Sequence, residues 1–345
     1  MSSAGKISFP RRRVGETDLE ITTLGLGGAT LAGMMVEVPP EQARATVDRA
    51  LERGIGYFDT APQYGLGRSE HFMGDALRFH RAGTVLSTKV GRLLKPIASE
   101  SERVYGHSWA KPFPFEMVYD YSYDAVKRSL EDSLQRLGLP SVDIVYVHDI
   151  GVMTHGDKNA GYWEQLRTGG YKALLELKKA GTIKAIGLGV NEWQVLMDAF
   201  DIGDWDVFLL AGRYTLLEQT SLSPFLETCL KRKASVVTGG PFNGGALMGT
   251  GTWNYAKAPQ EIIDRVKKLE DFCKAHNVPL GAAALQFPLA HPAIVNVLPG
   301  PKSPAELDGI IDWWQTQIPA AFWDAVADEK IVAPGTPLPN GRTAG

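Results

Sequence analysis

Short apolar runs rich in β-branched residues alternate along the chain with longer stretches where apolar positions recur every three to four residues. The short runs fall at 21–26, 55–59, 85–89, 143–148, 185–190, 207–210, 235–238 and 294–298. Runs of this length and composition predict strands buried on both faces. Helical periodicity fills the stretches at 40–53, 122–137, 170–180, 259–276 and 304–314. Pro40 stands where a first-turn proline preorganises a helix, and Gly54 and Gly138 stand where helices stop. A strand-then-helix order repeated eight times predicts an α/β fold with a parallel sheet under helices. Closed on itself, this sheet is a single (β/α)8 TIM barrel spanning residues 1–345.

An open doubly wound sheet is the competing architecture. Its fingerprint, a G-x-G-x-x-G opening a helix, is absent. Gly25, Gly27 and Gly28 follow the first strand, but no helical pattern begins before Pro40. These glycines read as a tight turn that also lets a ligand approach the backbone. Residues 12–14 and 19–21 flank Gly15-Glu16-Thr17-Asp18 and predict an N-terminal β-hairpin over the barrel bottom. Two long insertions, 91–121 and 149–169, follow strands at the C-terminal face, where barrel active sites are built. The tail at 333–345, rich in Pro and Gly, is expected to order only by docking.

Composition narrows the function. A net charge of −3 offers no broad basic field, which argues against a nucleic-acid partner. Arg11-Arg12-Arg13 reads as a short solvated face. No apolar run approaches the roughly 20 residues a membrane span needs, and the N-terminus lacks the apolar core of a secretory signal. Cys229 and Cys273 have no CxxC or Cys/His ligand spacing, so they read as reduced thiols of a cytoplasmic protein without a metal site. Oligomeric state is left open.

Three charged or titratable residues close otherwise apolar strands: Asp59, Lys89 and His148, with Tyr64 five residues beyond Asp59. In a barrel all four project from one face. A phenol has a reference pKa near 10, and a neighbouring ammonium favours its ionised form. A carboxylate keeps that ammonium charged, and a histidine can hydrogen-bond a substrate oxygen. Together they suit carbonyl–alcohol interconversion with hydride carried by a nicotinamide. Singly, each has a plainer reading as a cap, a surface charge, a satisfied histidine or a packed ring. His148 with Asp149 and Asp59 lacks the paired-histidine spacing of a metal hydrolase.

FDTAPQYG, STK and YVHD resemble the aldo-keto reductase family over nearly the whole chain. The resemblance implies that Tyr64 is the acid/base, that Lys89 and Asp59 tune it, and that His148 orients substrate. It also implies the barrel and a nicotinamide cofactor. TTLGLGGATLAG, STKVGRLLKP and IGLGVNEW are similar to the branch holding NAD-linked aldose 1-dehydrogenases and pyridoxal 4-dehydrogenase. That branch implies oxidation of a sugar hemiacetal at C1 to a lactone. Pyridoxal in its hemiacetal form is the alternative substrate, and NADPH-dependent reduction of general aldehydes is a further one. Relatives that serve as channel-associated sensors are a rival of another class.

By the same resemblance Asn191 holds the nicotinamide carboxamide, with Val190 where relatives have Ser, and Gln165 is a possible second amide. Tyr214 resembles the aromatic that stacks on nicotinamide, though rim packing is an equal reading. Gly240, Phe242, Asn243, Gly244 and Gly245 form a Gly-rich loop after the seventh strand whose N–H groups can approach a pyrophosphate. Gly300, Lys302 and Ser303 lead into the last long helix, a helix N-terminus that attracts anions. Glu306 stands where NADP-using relatives place an arginine. A carboxylate there repels a 2′-phosphate and accepts from ribose hydroxyls, which favours NAD over NADP, while Lys302 weighs the other way. Arg92, Trp109, Phe113 and Trp163 lie in the two insertions and are the candidate substrate walls; pinning their own loops is an equal reading for each.

Overall fold

The computed structural model describes residues 5–104, 108–254 and 256–345. Residues 1–4 of the N-terminal segment and 105–107 of the first insertion lie outside the described residues. Eight strands form one sheet: β1 (Leu26–Gly27), β2 (Tyr57–Asp59), β3 (Val85–Val90), β4 (Ile144–His148), β5 (Ala185–Val190), β6 (Val207–Ala211), β7 (Ser235–Gly239) and β8 (Ile294–Leu298). Each pairs in parallel with its sequence neighbour. The ring closes where Leu24 bridges Val297 in parallel, with Gly25 N–H donating to Val297 O at 3.0 Å and Val297 N–H to Thr23 O at 2.9 Å. An all-parallel closed sheet with helices between its strands is the expected TIM barrel.

Side chains alternate across every strand, and the alternation sorts the core into two shells. Tyr57, Val85, Ile144, Tyr146, Ala185 and Val207 point inward, in one cluster with Val14, Leu19 and Ile21 of the N-terminal hairpin. Phe58, Leu86, Val145, Ile186 and Phe208 point outward against helix residues such as Val47 and Leu130. The hairpin pairs Arg11–Arg13 with Glu20–Thr22 and plugs the barrel bottom as expected. The strand expected at 21–26 is therefore divided. Its first residues serve the hairpin, and only Leu24 onward joins the barrel. Arg12 departs from the expected solvated face, since it is half-buried and donates to Ile294 O at 2.6 Å.

The first insertion is a structured arm, in which Arg92–Pro96 pairs antiparallel with Phe115–Tyr119. The second folds into short helices, Val152–His155 and Asn159–Gln165. The C-terminal tail docks, burying Leu338 and Ala344 and taking a hydrogen bond from Ala333 N–H to Gln219 Oε1 at 3.1 Å. Gly28 answers to packing: a Cβ there would lie 2.3 Å from Ser69 Oγ and 2.9 Å from Asp59 O. Both cysteines are buried free thiols, and burial pushes the Cys273 thiol up to about 11. No helix among the described residues is long and apolar enough to cross a membrane.

Candidate active site at the barrel mouth

Asp59, Lys89 and His148 fall in the inward series of their strands, two residues beyond Tyr57, Ser87 and Tyr146. The strand alternation that builds the core thus delivers three polar side chains to one cavity end. Lys89 is 1% exposed and Asp59 2%. The Lys89 ammonium donates to Asp59 Oδ1 at 2.8 Å, to Oδ2 at 2.6 Å and to Thr60 O at 2.9 Å. Ser87 Oγ adds a 2.7 Å hydrogen bond to Asp59 Oδ1. Burial lowers the lysine and raises the aspartate from their ordinary ranges, while each one's charge opposes the other's shift. The β5 glycines make room for this pair, because a Cβ on Gly189 would come within 3.2 Å of Lys89 Cε.

Tyr64 sits in the turn after β2, its ring centroid 4.7 Å from Lys89 Nζ. The His148 ring meets it edge-on at 5.7 Å, and Trp109 from the first insertion covers it at 5.8 Å. His148 is buried, with Nδ1 lacking a hydrogen-bond partner among the described residues. Burial, Arg92 and Lys89 together hold its pKa well below the ordinary histidine value. The imidazole is therefore neutral near pH 7, and its 3.5 Å approach to Asp149 Oδ2 is not an ion pair. Asp149 belongs instead to Arg92, whose Nη2 donates to Oδ2 at 2.8 Å.

The structure brings together Asp59, Tyr64, Lys89, His148 and Trp109, and gives the other candidate walls partners of their own. Arg92 is 2% exposed, with its guanidinium committed to Asp149. Phe113 packs edge-on against His71 at 5.2 Å, and its N–H donates to Gly65 O at 3.0 Å. Trp163 lines a cavity of about 380 Å³ with Ile150, Val195 and Asp198, outside the tetrad. Gln165 is occupied as well, its Oε1 accepting from Tyr121 N–H at 3.0 Å.

Asn191 continues the inward series of β5, and its Nδ2 lies 3.5 Å from Asp149 Oδ1. Tyr214 is 1% exposed, with its ring against those of Phe287 and His291. Asn243 is likewise committed to the protein, accepting from Thr215 Oγ1 at 2.6 Å and donating to Gly212 O at 3.0 Å and Glu218 Oε1 at 2.9 Å. Around it, Asn243, Gly244 and Gly245 take successive left-handed conformations at φ 50°, 65° and 100°. Within the run, Asn243 N–H donates to Gly240 O at 2.9 Å and Gly245 N–H to Phe242 O at 3.1 Å, which closes the loop on itself. Phe242 packs against Trp313 at 5.9 Å. Gly300 O accepts from Thr30 Oγ1 at 2.8 Å, tying the loop after β1 to the loop after β8. Ser303 caps the helix Pro304–Gln315 by accepting from Glu306 N–H at 3.2 Å. Glu306 accepts from Lys302 N–H at 2.9 Å and holds the Lys302 ammonium at 3.4 Å, so the two residues that weigh oppositely on cofactor choice are partners.

Sequence reasoning missed Arg213 and Glu218. Arg213 donates to Asn191 O at 2.9 Å and to Glu218 Oε2 at 3.0 Å, and Trp253 Nε1–H donates to Glu218 Oε1 at 2.7 Å. Arg213 and Glu218 pair across RYTLLE, but the partners that tie them to the site, Asn191, Asn243, Trp253 and Asn254, lie 22 to 41 residues away. No group of His, Cys, Asp and Glu suited to a metal occurs among the described residues.

Residues 23–330 match the family model described as "Aldo/keto reductase family". The chain belongs to the aldo-keto reductase family. It is 44% identical over 337 residues to pyridoxal 4-dehydrogenase of Microbacterium luteolum, spanning 94% of this chain and 98% of that one. It is 32% identical to D-threo-aldose 1-dehydrogenase of a Pseudomonas species, over 91% of this chain and 95% of that one. In structure it resembles the holo form of aldo-keto reductase AKR11C1 from Bacillus halodurans with a TM-score of 0.73, covering 97% of this chain and 100% of that one at 23% identity. That likeness speaks for the fold. The chain is an oxidoreductase of this family, with a barrel mouth built for a small molecule.

Proposed function

We propose that this aldo-keto reductase oxidises a cyclic hemiacetal to a lactone with NAD, and that pyridoxal in its hemiacetal form is the substrate. The observation that carries the reaction is the Lys89 ammonium, clamped by Asp59 and set 4.7 Å from the Tyr64 ring. A fixed positive charge there stabilises the negative charge on the phenol oxygen as the proton moves. Tyr64 takes the proton of the hemiacetal hydroxyl, and the neutral His148 donates a hydrogen bond to the same oxygen once it becomes a carbonyl. A bound nicotinamide supplies the acceptor for the hydride that leaves the hemiacetal carbon. Asn191 would hold its carboxamide, and the glycine-rich loop after β7 with the capped helix N-terminus would hold its phosphates.

The pyridoxal reading rests on the 44% identical relative, matched over nearly both whole chains. A sugar hemiacetal, the substrate expected first from the sequence, is the second reading, favoured by the aldose relative at 32%. Both present a ring oxygen beside a hemiacetal carbon, and Trp109 over Tyr64 offers an aromatic face to either. Absorbance of the reduced cofactor against pyridoxal, an aldose panel and simple aldehydes separates them. Pyridoxal is expected to give the highest kcat/KM. A preference for an aldose would install the second reading, and no turnover with any would overturn both.

For the cofactor, Glu306 carries the choice of NAD. Its carboxylate is 45% exposed beside the helix N-terminus and repels a second phosphate while accepting from a ribose hydroxyl. Glu306→Arg also releases Lys302. A charge-assisted hydrogen bond to phosphate contributes about 1.5–3 kcal/mol, so the Kd ratio is expected to move toward NADP by about ten- to a hundredfold. Titration of both cofactors into wild type and variant measures it. Tighter NADP binding by the wild type would reassign Lys302 and Ser303 as a phosphate site.

A further inference from the structure

We propose that Arg92 is a positioning residue that captures the Asp149 carboxylate and so leaves the His148 imidazole uncharged and available to the substrate oxygen. This rests on the reading of His148 as the group that hydrogen-bonds substrate. Arg92 opens the arm strand just beyond β3, with its guanidinium 5.3 Å from the centre of the Tyr119 ring. One nitrogen reaches Asp149, while Nε and Nη1 are buried without a hydrogen-bond partner among the described residues, and the Tyr121 hydroxyl lies close to the guanidinium. A guanidinium buried against one carboxylate is a poor stabilising device, because desolvation offsets the attraction. Its placement makes sense through what it does to Asp149.

Asp149 follows His148 directly and takes a left-handed φ of 39°, with its N–H donating to Gly189 O at 2.9 Å. That turn brings the carboxylate back beneath the site, where Oδ2 lies 3.5 Å from His148 Nε2 and Oδ1 lies 3.5 Å from Asn191 Nδ2. Asp149 thus stands between the imidazole and the amide proposed to hold the cofactor. Arg92 at 2.8 Å is its strong partner, and the contact to His148 is too long for a hydrogen bond.

The remaining groups around His148 press the same way. Lys89 on β3 is near enough to lower the imidazole, its ammonium is paired with Asp59, and the Tyr64 ring meets the imidazole edge-on. Tyr121 OH donates to His148 O at 2.8 Å and contacts His155 Nε2 at 2.9 Å, which fixes the backbone without adding charge. Burial holds His155 down at about 4, so it too is neutral near pH 7. Asp149 is therefore the nearest carboxylate to the imidazole and Arg92 is what occupies it. With Arg92 gone, an unpaired carboxylate 3.5 Å from the ring would draw a proton onto His148 and turn its N–H toward itself.

The chain has seven histidines, so ring-proton NMR resolves His148 once its signal is assigned by its loss in His148→Gln. In wild type that signal is expected to stay flat from about pH 5.5 to 8. In Arg92→Met and in Arg92→Gln its titration is expected to move up into that window, because the unpaired Asp149 carboxylate then opposes the lowering by burial and Lys89. Arg92→Lys, which keeps the charge, is expected to stay flat, as is Arg92→Met/Asp149→Asn, which removes the carboxylate as well. Arg92→Gln keeps the length and a donor head, so it serves if Arg92→Met does not fold. On the substrate that turns over, kcat/KM of the two uncharged variants is expected to gain an acid limb that falls about tenfold per pH unit below the break. A His148 signal that stays flat in both, or a break that survives in the double variant, overturns the proposal. A titration that appears without any change in the rate profile would instead overturn the reading of His148, so the two failures are distinct.

Discussion

Tyr64→Phe is expected to lower turnover by about 10²–10⁴-fold, the range a positioned acid/base contributes. On the activation barrier this is roughly 3–5 kcal/mol. The ring itself is held from three sides, by Trp109 at 5.8 Å, His148 at 5.7 Å and the Lys89 ammonium at 4.7 Å, and phenylalanine keeps those contacts. Only the oxygen that accepts the hydroxyl proton is lost. Cofactor affinity is expected to hold, because the residues proposed to bind it stand on β5, β7 and the last long helix. Steady-state rates and a fluorescence titration of the cofactor measure the two quantities. Turnover close to wild type would mean that another group moves the proton. His148 is the first alternative, since its ring is the nearest titratable group on the substrate side.

What the sequence made legible follows from how far each signal reaches along the chain. The barrel strands were readable because a strand buried on both faces must be apolar throughout, and a polar residue ending such a run stands out. Asp59, Lys89 and His148 stood out in that way. The arm formed by 92–96 and 115–119 was read as a loop, because RLLKP and FEMVY lack clean alternation and pair across 18 intervening residues. The glycine-rich loop after β7 signalled backbone freedom, yet Asn243 within it spends its amide on Gly212, Thr215 and Glu218. Composition cannot report such a partner. Arg92 shows the same limit from the other side. An arginine in an insertion above a barrel reads as a substrate contact, and only the packing of Tyr119 and Asp149 around it reveals that it is buried.

Lys89→Met is expected to abolish turnover and also to destabilise the fold, and the second effect separates the two roles of the pair. The variant leaves the Asp59 carboxylate 2% exposed with Ser87 Oγ but without its ammonium. Removing one partner of a buried pair costs about 3–5 kcal/mol, because the remaining charge stays desolvated. Burial already raises the Asp59 pKa, so without the lysine the carboxyl is expected to take up a proton and recover part of that cost. Replacing both residues removes the stranded charge altogether. Asp59→Asn/Lys89→Met is therefore expected to unfold at a higher urea concentration than Lys89→Met alone, though below wild type, since Thr60 O loses its 2.9 Å donor. Turnover should stay lost in the double variant, because the charge that favours the phenolate is absent in both. Urea midpoints and steady-state rates across the three proteins decide the matter. A Lys89→Met midpoint equal to wild type would show that the buried pair carries no such penalty. A double variant that regained turnover would show that Tyr64 works without the ammonium, and would remove Lys89 from the proton path.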